Sequence, residues 1–363
     1  MTSTALASSE TVAPEAVAPT PPASTPLSRA ARGTGDGGPA RLVPRRVRIR
    51  RSDPSQPGIT RVSVDPPRYR DHTGQAVEDP EVLERIRALA IPPAWTEVWI
   101  SPPPNGHIQA LGTDAAGRRQ YLYHAEWRRQ RDGLKFDRML ALAHALPTAR
   151  RTVTRELGGT GLSRERALAA AFRLTDRTAL RIGGERYRQL YGSRGLTTLL
   201  GRHAELDGDT VRLSFPAKGG LRWESEFRDG LLAAYLSEAR AARGLRGRLL
   251  VWRDRRWHAL RPQEVNEDIR ARTGVEASAK DFRTLRGTIV AARALARSGP
   301  AGTKRERTAA ERRAVEAAAA ALGNTPAVAR SSYIDPRVFD RYRDGELIAP
   351  NRSPERALVE LLG

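Results

Sequence analysis

Leu322-Gly323-Asn324-Thr325-Pro326-Ala327-Val328-Ala329-Arg330-Ser331-Ser332-Tyr333-Ile334-Asp335-Pro336 is the stretch from which the rest of this chain is best read. Asn324-Thr325-Pro326 predicts a helix start, a polar cap followed by proline at the first helical position. Tyr333 lies near the far end of that short helix, and Pro336 stops it. On one ideal helix Asn324 and Tyr333 would be about 180° apart, so they share a site only if Asn324 stands outside the helix. A tyrosine hydroxyl, with a free pKa of about 10, is a poor nucleophile at neutral pH. Chemistry at Tyr333 therefore needs cations to neutralise its target and an acid to help the leaving group. Taken alone, an amphipathic tyrosine at a domain surface is the alternative.

Composition narrows the target. The 363 residues suffice for two domains with proper cores. Lys+Arg is 62 against 41 Asp+Glu, a net charge of +21 spread along the chain. A folded protein this basic most often binds a polyanion, and nucleic acid is the commonest. A membrane-surface protein would need a long basic amphipathic helix or an apolar span, and the sequence offers neither. The absence of cysteine excludes disulfides, thiolate metal sites and a cysteine nucleophile, and it suits a reducing cytoplasm. Met1-Thr2-Ser3-Thr4-Ala5 opens no signal peptide. His72, His107, His124, His144, His203 and His258 are scattered without metal-ligand spacing, so no metal is expected. Only four basic residues are lysine: Lys135, Lys218, Lys280 and Lys304. Arginine cannot give up its proton, whereas lysine can serve as an acid, which draws attention to those four.

The predicted class is α+β, a small β-rich N-terminal domain followed by a larger, mainly helical one. Residues 1–42 are rich in Ala, Thr, Ser, Pro and Gly and are expected to be disordered. Residues 43–130 read mainly as strands, with Val47 and Ile49 alternating with arginines and Asp71-His72-Thr73-Gly74 as a hairpin turn. Within them Pro80–Ala90 forms one short helix. From 131 to 363 helical periods dominate: Leu134–Leu146, Ser163–Ile182, Glu226–Arg243, Ala279–Arg297 and Thr303–Leu322. One hairpin is expected to interrupt them, with Val211, Leu213 and Phe215 leading into the turn Pro216–Gly220 and Leu221 and Trp223 leading out.

Several residues could assist Tyr333. Arg181 is predicted in the last turn of the helix Ser163–Ile182, with Gly183-Gly184 ending it and allowing close approach to a ligand. Arg283 lies off the apolar stripe Phe282, Leu285, Ile289 and Ala292, so a solvated basic face shared with Arg286 is its alternative reading. Lys218 sits at the hairpin tip, where solubility alone would be served equally well by arginine. Gln120-Tyr121-Leu122-Tyr123 puts Tyr121 and Tyr123 on one strand face beside Arg118 and Arg119. Aromatics interleaved with arginine suit DNA contacts, and a core strand is the alternative.

Together these segments resemble the type IB DNA topoisomerases, specifically the poxvirus-like bacterial branch, across most of residues 78–349. The most specific pieces are Val98-Trp99-Ile100-Ser101 through Asn105–Ala110, Gly117–Tyr121, Lys135-Phe136-Asp137-Arg138-Met139, and Leu180-Arg181-Ile182-Gly183 through Tyr187. They continue with Gly195–Leu199, Lys280-Asp281-Phe282-Arg283-Thr284 and the opening stretch. The resemblance implies that Tyr333 is the nucleophile that forms a 3′-phosphotyrosyl link and frees a 5′-hydroxyl. It implies that Arg181 and Arg283 clamp the non-bridging oxygens and that Lys218 is the general acid. Asn324 occupies the remaining oxygen-binding position, where many members carry histidine; an asparagine contact donates a hydrogen bond without charge. Gln120, Tyr121 and Tyr187 match positions that hold DNA, and Tyr123 and Lys280 are assigned to the same surface. The implied protein is a DNA-clamping monomer with residues 131–363 as catalytic domain. It would relax positive and negative supercoils without ATP, metal or small-molecule cofactor, in the cytoplasm among the nucleoid.

Two departures accompany the resemblance. Leu285-Arg286-Gly287-Thr288 stands where tryptophan and a small residue are usual, and Arg61–Pro67 replaces a more regular basic strand. A tyrosine recombinase and a non-catalytic DNA-architectural protein are the rival readings.

Overall fold

The structure, a computed structural model, describes residues 48–363. The expected disordered tail, residues 1–42, and Val47 lie outside the described residues. The chain divides into two compact units, the first ending at Gly133 and the second beginning at Leu134.

The first unit is built on a five-stranded antiparallel sheet in the order β2-β1-β3-β4-β5. Its strands are β1 (Ile59–Val64) and β2 (Pro67–Arg70), then β3 (Thr96–Ile100), β4 (Ile108–Thr113) and β5 (Arg119–Tyr123), with helix α1 (Pro80–Ala88) between β2 and β3. The Asp79 side chain caps α1 by accepting from the Glu81 N–H at 2.9 Å, with Pro80 at the first turn. Ile86 of α1 packs with Ile59, Trp95, Val98, Ile100 and Ala110 to form this unit's core. The β4–β5 turn is fixed by Asp114, whose carboxylate accepts from the backbone N–H of Arg118 and Ala116 and from the Gln120 amide. Those donors, the Arg118 N–H foremost, hold its pKa down to about 2.

Helix α2 (Ala125–Leu157) is far longer than the predicted 134–146. The second unit continues through α3 (Arg164–Thr178) and α4 (Glu185–Tyr191) to a sheet of β6 (Ala204–Asp207), β7 (Thr210–Pro216) and β8 (Arg222–Arg228). Next come α5 (Gly230–Arg243), the short hairpin β9 (Val251–Arg253) and β10 (Trp257–Ala259), and α6 (Pro262–Thr273). The C-terminal part is helical: α7 (Ala279–Ser298), α8 (Lys304–Leu322), α9 (Pro326–Ser332), α10 (Arg337–Arg343) and α11 (Pro354–Leu362).

Several expectations are corrected. The helix predicted from Glu226 begins at Gly230, because Glu226–Arg228 belong to β8 and Asp229 is the cap, accepting from the Leu232 N–H. Among the described residues three hairpins, not one, interrupt the helices: β6–β7 and β7–β8 in one sheet, and β9–β10. Leu221, which leads out of the turn, is 52% exposed, and the inward-facing register of β8 begins at Trp223. Helix α7 is buried on nearly every side, with Asp281, Arg283, Thr284 and Thr288 inside. A helix surrounded by other helices loses its single apolar stripe, which is why its periodicity misplaced Arg283.

Candidate active site

Three helix ends and one buried helix build the site. Helix α3 stops at Thr178 because Ala179 turns into the left-handed region at φ 51°. Arg181 therefore lies beyond the helix, not in its last turn as predicted. The loop is held by backbone contact. The N–H of Leu196 donates to the Arg181 carbonyl at 2.9 Å, and that of Thr197 donates to the Ile182 carbonyl at 2.9 Å. Gly183, at φ 76°, lies so close to Gly195 that a Cβ on Gly195 would come 2.4 Å from the Arg181 carbonyl. The close approach that Gly183 permits is thus to this chain's own backbone, and Gly184 serves as the cap of α4.

Helix α8 ends on Gly323 at φ 56°, with the N–H groups of Gly323 and Asn324 bonding back to Ala320 and Ala319. That closure delivers Asn324 ahead of α9, whose cap is Thr325, accepting from the Val328 N–H. Asn324 thus stands outside the helix, as its sharing a site with Tyr333 requires. Its Oδ1 accepts from Arg181 Nη2. Its buried Nδ2 has no hydrogen-bond partner among the described residues. The arginine consumes the acceptor side of the amide and leaves the donor side for an incoming oxygen.

Arg283, 2% exposed, reaches from α7 to both helix ends. Its Nη1 donates to the Ala179 carbonyl at 2.7 Å and its Nη2 to the Leu322 carbonyl at 2.8 Å. Carbonyls at helix C-termini carry partial negative charge, so they are suited to holding a buried cation. The same guanidinium lies 4.9 Å from the centre of the Tyr333 ring. Tyr333 itself caps the end of α9 and is 7% exposed, packed against Ala179, Leu322 and Val328.

Two residues that the sequence reading left without a role seat the tyrosine segment. The Thr288 hydroxyl donates to the Tyr333 carbonyl at 3.4 Å and accepts from the Asp335 N–H at 3.1 Å. Gly287 faces the same carbonyl, and a Cβ there would stand 2.5 Å from it. A glycine inside a long helix costs stability unless a close approach needs it, and that was the signal available. Gly287→Ala is expected to displace Tyr333, lowering the single-turnover DNA-cleavage rate at least about tenfold and stability by about 1–3 kcal/mol. Rapid-quench cleavage and thermal melting check both.

Lys218 stands at the tip of the β7–β8 hairpin, its Nζ 5.9 Å from the centre of the Tyr187 ring on α4. The hairpin is tied near its tip to the loop beside Arg181 by the Arg194 N–H, which donates to the Pro216 carbonyl at 2.8 Å. Trp223 on β8 packs under the α8 end, within 3.4 Å of where a Gly323 Cβ would sit. Arg181 thus bonds to Asn324, while Arg283 lies against Tyr333 and holds the helix ends just before Arg181 and Asn324, with Lys218 on a hairpin anchored to the same two segments.

The other predicted residues are placed as follows. Tyr121 and Tyr123 stack on one face of β5 with centroids 6.1 Å apart, and Tyr123 is 36% exposed. Burial, then the neighbouring Tyr121, pushes the Tyr123 hydroxyl above its ordinary pKa. Gln120 donates to Asp114 at 2.8 Å. Lys280 is exposed at the start of α7, and Tyr187 is 40% exposed. Among the described residues no group of three or more His, Cys, Asp or Glu could hold a metal, and no helix is long and apolar enough to cross a membrane.

Residues 124–346 match the family described as eukaryotic DNA topoisomerase I, catalytic core, and residues 68–114 match the bacterial DNA topoisomerase IB N-terminal domain. The chain is also similar to the DNA topoisomerase 1B of Acanthamoeba polyphaga mimivirus, 26% identical over 272 residues, 72% of this chain and 80% of the relative.

Proposed function

Since this chain belongs to the DNA topoisomerase I catalytic-core family and is a type IB DNA topoisomerase, we propose that Tyr333 is its nucleophile and that it relaxes supercoils by transient cleavage of one strand. The Tyr333 oxygen attacks a backbone phosphorus, losing its proton to solvent. The bond from phosphorus to the 5′-oxygen breaks, and that oxygen takes a proton from the Lys218 ammonium. The product is a 3′-phosphotyrosyl link and a 5′-hydroxyl, so the phosphodiester energy is kept and religation needs no ATP. While the strand is open its 5′ end swivels, releasing supercoils of either sign. Arg181 and Arg283 neutralise the non-bridging oxygens in the transition state, and the Asn324 amide donates to one of them. Gln120, Tyr121, Tyr123, Tyr187 and Lys280 grip the duplex. The protein works as a monomer on DNA in the cytoplasm.

The observation that carries this reading is the convergence of two arginines and an asparagine, whose buried amide nitrogen has no hydrogen-bond partner among the described residues, at the segment ends around Tyr333. These groups suit a tetrahedral phosphodiester monoanion passing through a pentacoordinate state of greater negative charge, with guanidinium groups supplying the compensating charge. Complete plasmid relaxation is expected in EDTA without nucleotide, for positive and negative supercoils alike. A protein inert under those conditions, yet active with added metal or ATP, would sink the mechanism. A recombinase would instead exchange strands between two specific sites, and an architectural protein would yield no covalent adduct when reactions are stopped with denaturant.

A further inference from the structure

The motif Lys135-Phe136-Asp137-Arg138-Met139 stands out in the sequence, yet the chemistry at Tyr333 gives it no part. Its place on α2 gives it a different task. Phe136 and Met139 are buried in the core of the second unit, which fixes the helix at this point. Asp137 and Arg138 reach two different elements from there. Arg138 Nε donates to the buried Asp281 carboxylate at 2.8 Å. Asp281 also accepts from the Ser278 N–H at 2.9 Å and so caps the start of α7, the helix that carries Arg283 and Thr288. Asp137 pairs with Arg337 Nη1 at 3.4 Å. Arg337 is the first residue of α10, just beyond the tyrosine segment. Neighbouring side chains on one helix therefore hold the arginine helix and the end of the tyrosine segment.

Arg337 acts on that segment through Asp335, whose side chain is fully buried. Its Nε and Nη2 donate to the Asp335 carboxylate at 3.0 and 2.7 Å, the planar fork of a guanidinium on a carboxylate. The Arg337 N–H adds a bond to the same carboxylate at 3.0 Å. The Asp335 N–H donates to the Thr288 hydroxyl, the one that also bonds the Tyr333 carbonyl. Thr288 thus holds the segment from α7, and Arg337 ties it to α2. We propose that Arg337 is a positioning residue for strand cleavage: by bridging Asp335 to Asp137, it keeps the Tyr333 segment in register with Arg283, whose helix is braced by the neighbouring Arg138. It rests on Tyr333 being the nucleophile. An attacking group displaced by about 1 Å can lose about a hundredfold in rate, so a tie remote from the phosphate can govern the chemistry without touching it.

The test is single-turnover cleavage of labelled duplex DNA by saturating full-length chain, read beside DNA affinity and melting temperature. Arg337→Lys keeps a cation against the buried carboxylate, so the fold is retained. One ammonium cannot grip both Asp335 oxygens and reach Asp137 as well. The saturated cleavage rate is expected to fall about tenfold or more, with DNA affinity unchanged. Asp137→Asn, at an exposed position, removes only the link to α2 and should slow cleavage about threefold or more. Because both substitutions cut one tie, the double variant should be no slower than Arg337→Lys alone. A lysine variant that cleaves at the parental rate overturns the proposal. So does a rate loss matched by an equal loss of DNA affinity, or two losses that multiply in the double variant. The adducted residue is mapped in each case. An adduct on Tyr333 formed at the parental rate by Arg337→Lys removes this inference alone. An adduct on another residue, or none from the parent chain, removes the catalytic reading and this inference with it.

Discussion

Tyr333→Phe is expected to abolish the covalent protein–DNA adduct and to reduce plasmid relaxation by at least about 10⁴-fold, the scale on which loss of a catalytic nucleophile registers. The substitution removes one oxygen and keeps the ring. That ring makes the packing contacts with Ala179, Leu322 and Val328 and the contact with the Arg283 guanidinium. The segment is positioned through its backbone, by Thr288 at the Tyr333 carbonyl and by the Ala329 carbonyl at the Tyr333 N–H. Melting temperature and DNA affinity should therefore stay close to those of the parent chain. Denaturant-stopped reactions on labelled DNA, with peptide mapping of the adduct, give the readout. An adduct on any other residue, or relaxation by the phenylalanine variant, ends the proposal.

Arg283 carries the second large effect, which divides between stability and chemistry. Arg283→Ala leaves the Ala179 and Leu322 carbonyls without their bonds from Arg283 and opens a cavity between α7 and the two helix ends. Each buried acceptor left without a partner costs about 1–3 kcal/mol, so a total loss of about 3–5 kcal/mol is expected. Arg283→Lys is the sharper experiment. Its single ammonium keeps the charge but cannot reproduce a planar fork that bridges two carbonyls and faces a phosphate. A cleavage rate lower by about 10²–10³ is expected, with most of the stability retained. The rate is read from single-turnover cleavage well below the melting temperature. A lysine variant that cleaves at the parental rate would reduce Arg283 to a structural brace.

Legibility differed from residue to residue for physical reasons. Helix α8 could be bounded from sequence because Thr303 and Glu306 form a reciprocal cap and Gly323 supplies the left-handed exit. Helix α7 could be bounded too, but not the exposure of its residues. Arg283 lies off the apolar stripe in any helical projection, and only the neighbours packed around α7 make its position interior. The end of α3 was misread because Ala179-Leu180-Arg181-Ile182 continues an acceptable helical pattern with no glycine at the turn. An alanine in the left-handed region costs roughly 1–2 kcal/mol, and here its carbonyl is received by Arg283. Leu221 followed the alternation and still faces solvent, because a tip residue has no sheet partner to cover it. The strands of the β9–β10 hairpin are too short and too arginine-rich to register as strands at all.

The sequence by itself determined which chemical groups are present and the local frames that carry them: a capped helix ending in Tyr333, a hairpin presenting Lys218, and arginine in place of a metal ligand set. These depend on neighbours a few residues apart, and caps, turns and residue types act at that range. Only the tertiary structure decided that they meet. Arg181 and Asn324 are 143 residues apart, and Arg283 is 104 from Ala179 and 39 from Leu322. Their encounter follows from close-packed helix ends whose unpaired carbonyls need a buried cation, and no local pattern in the sequence carries that requirement.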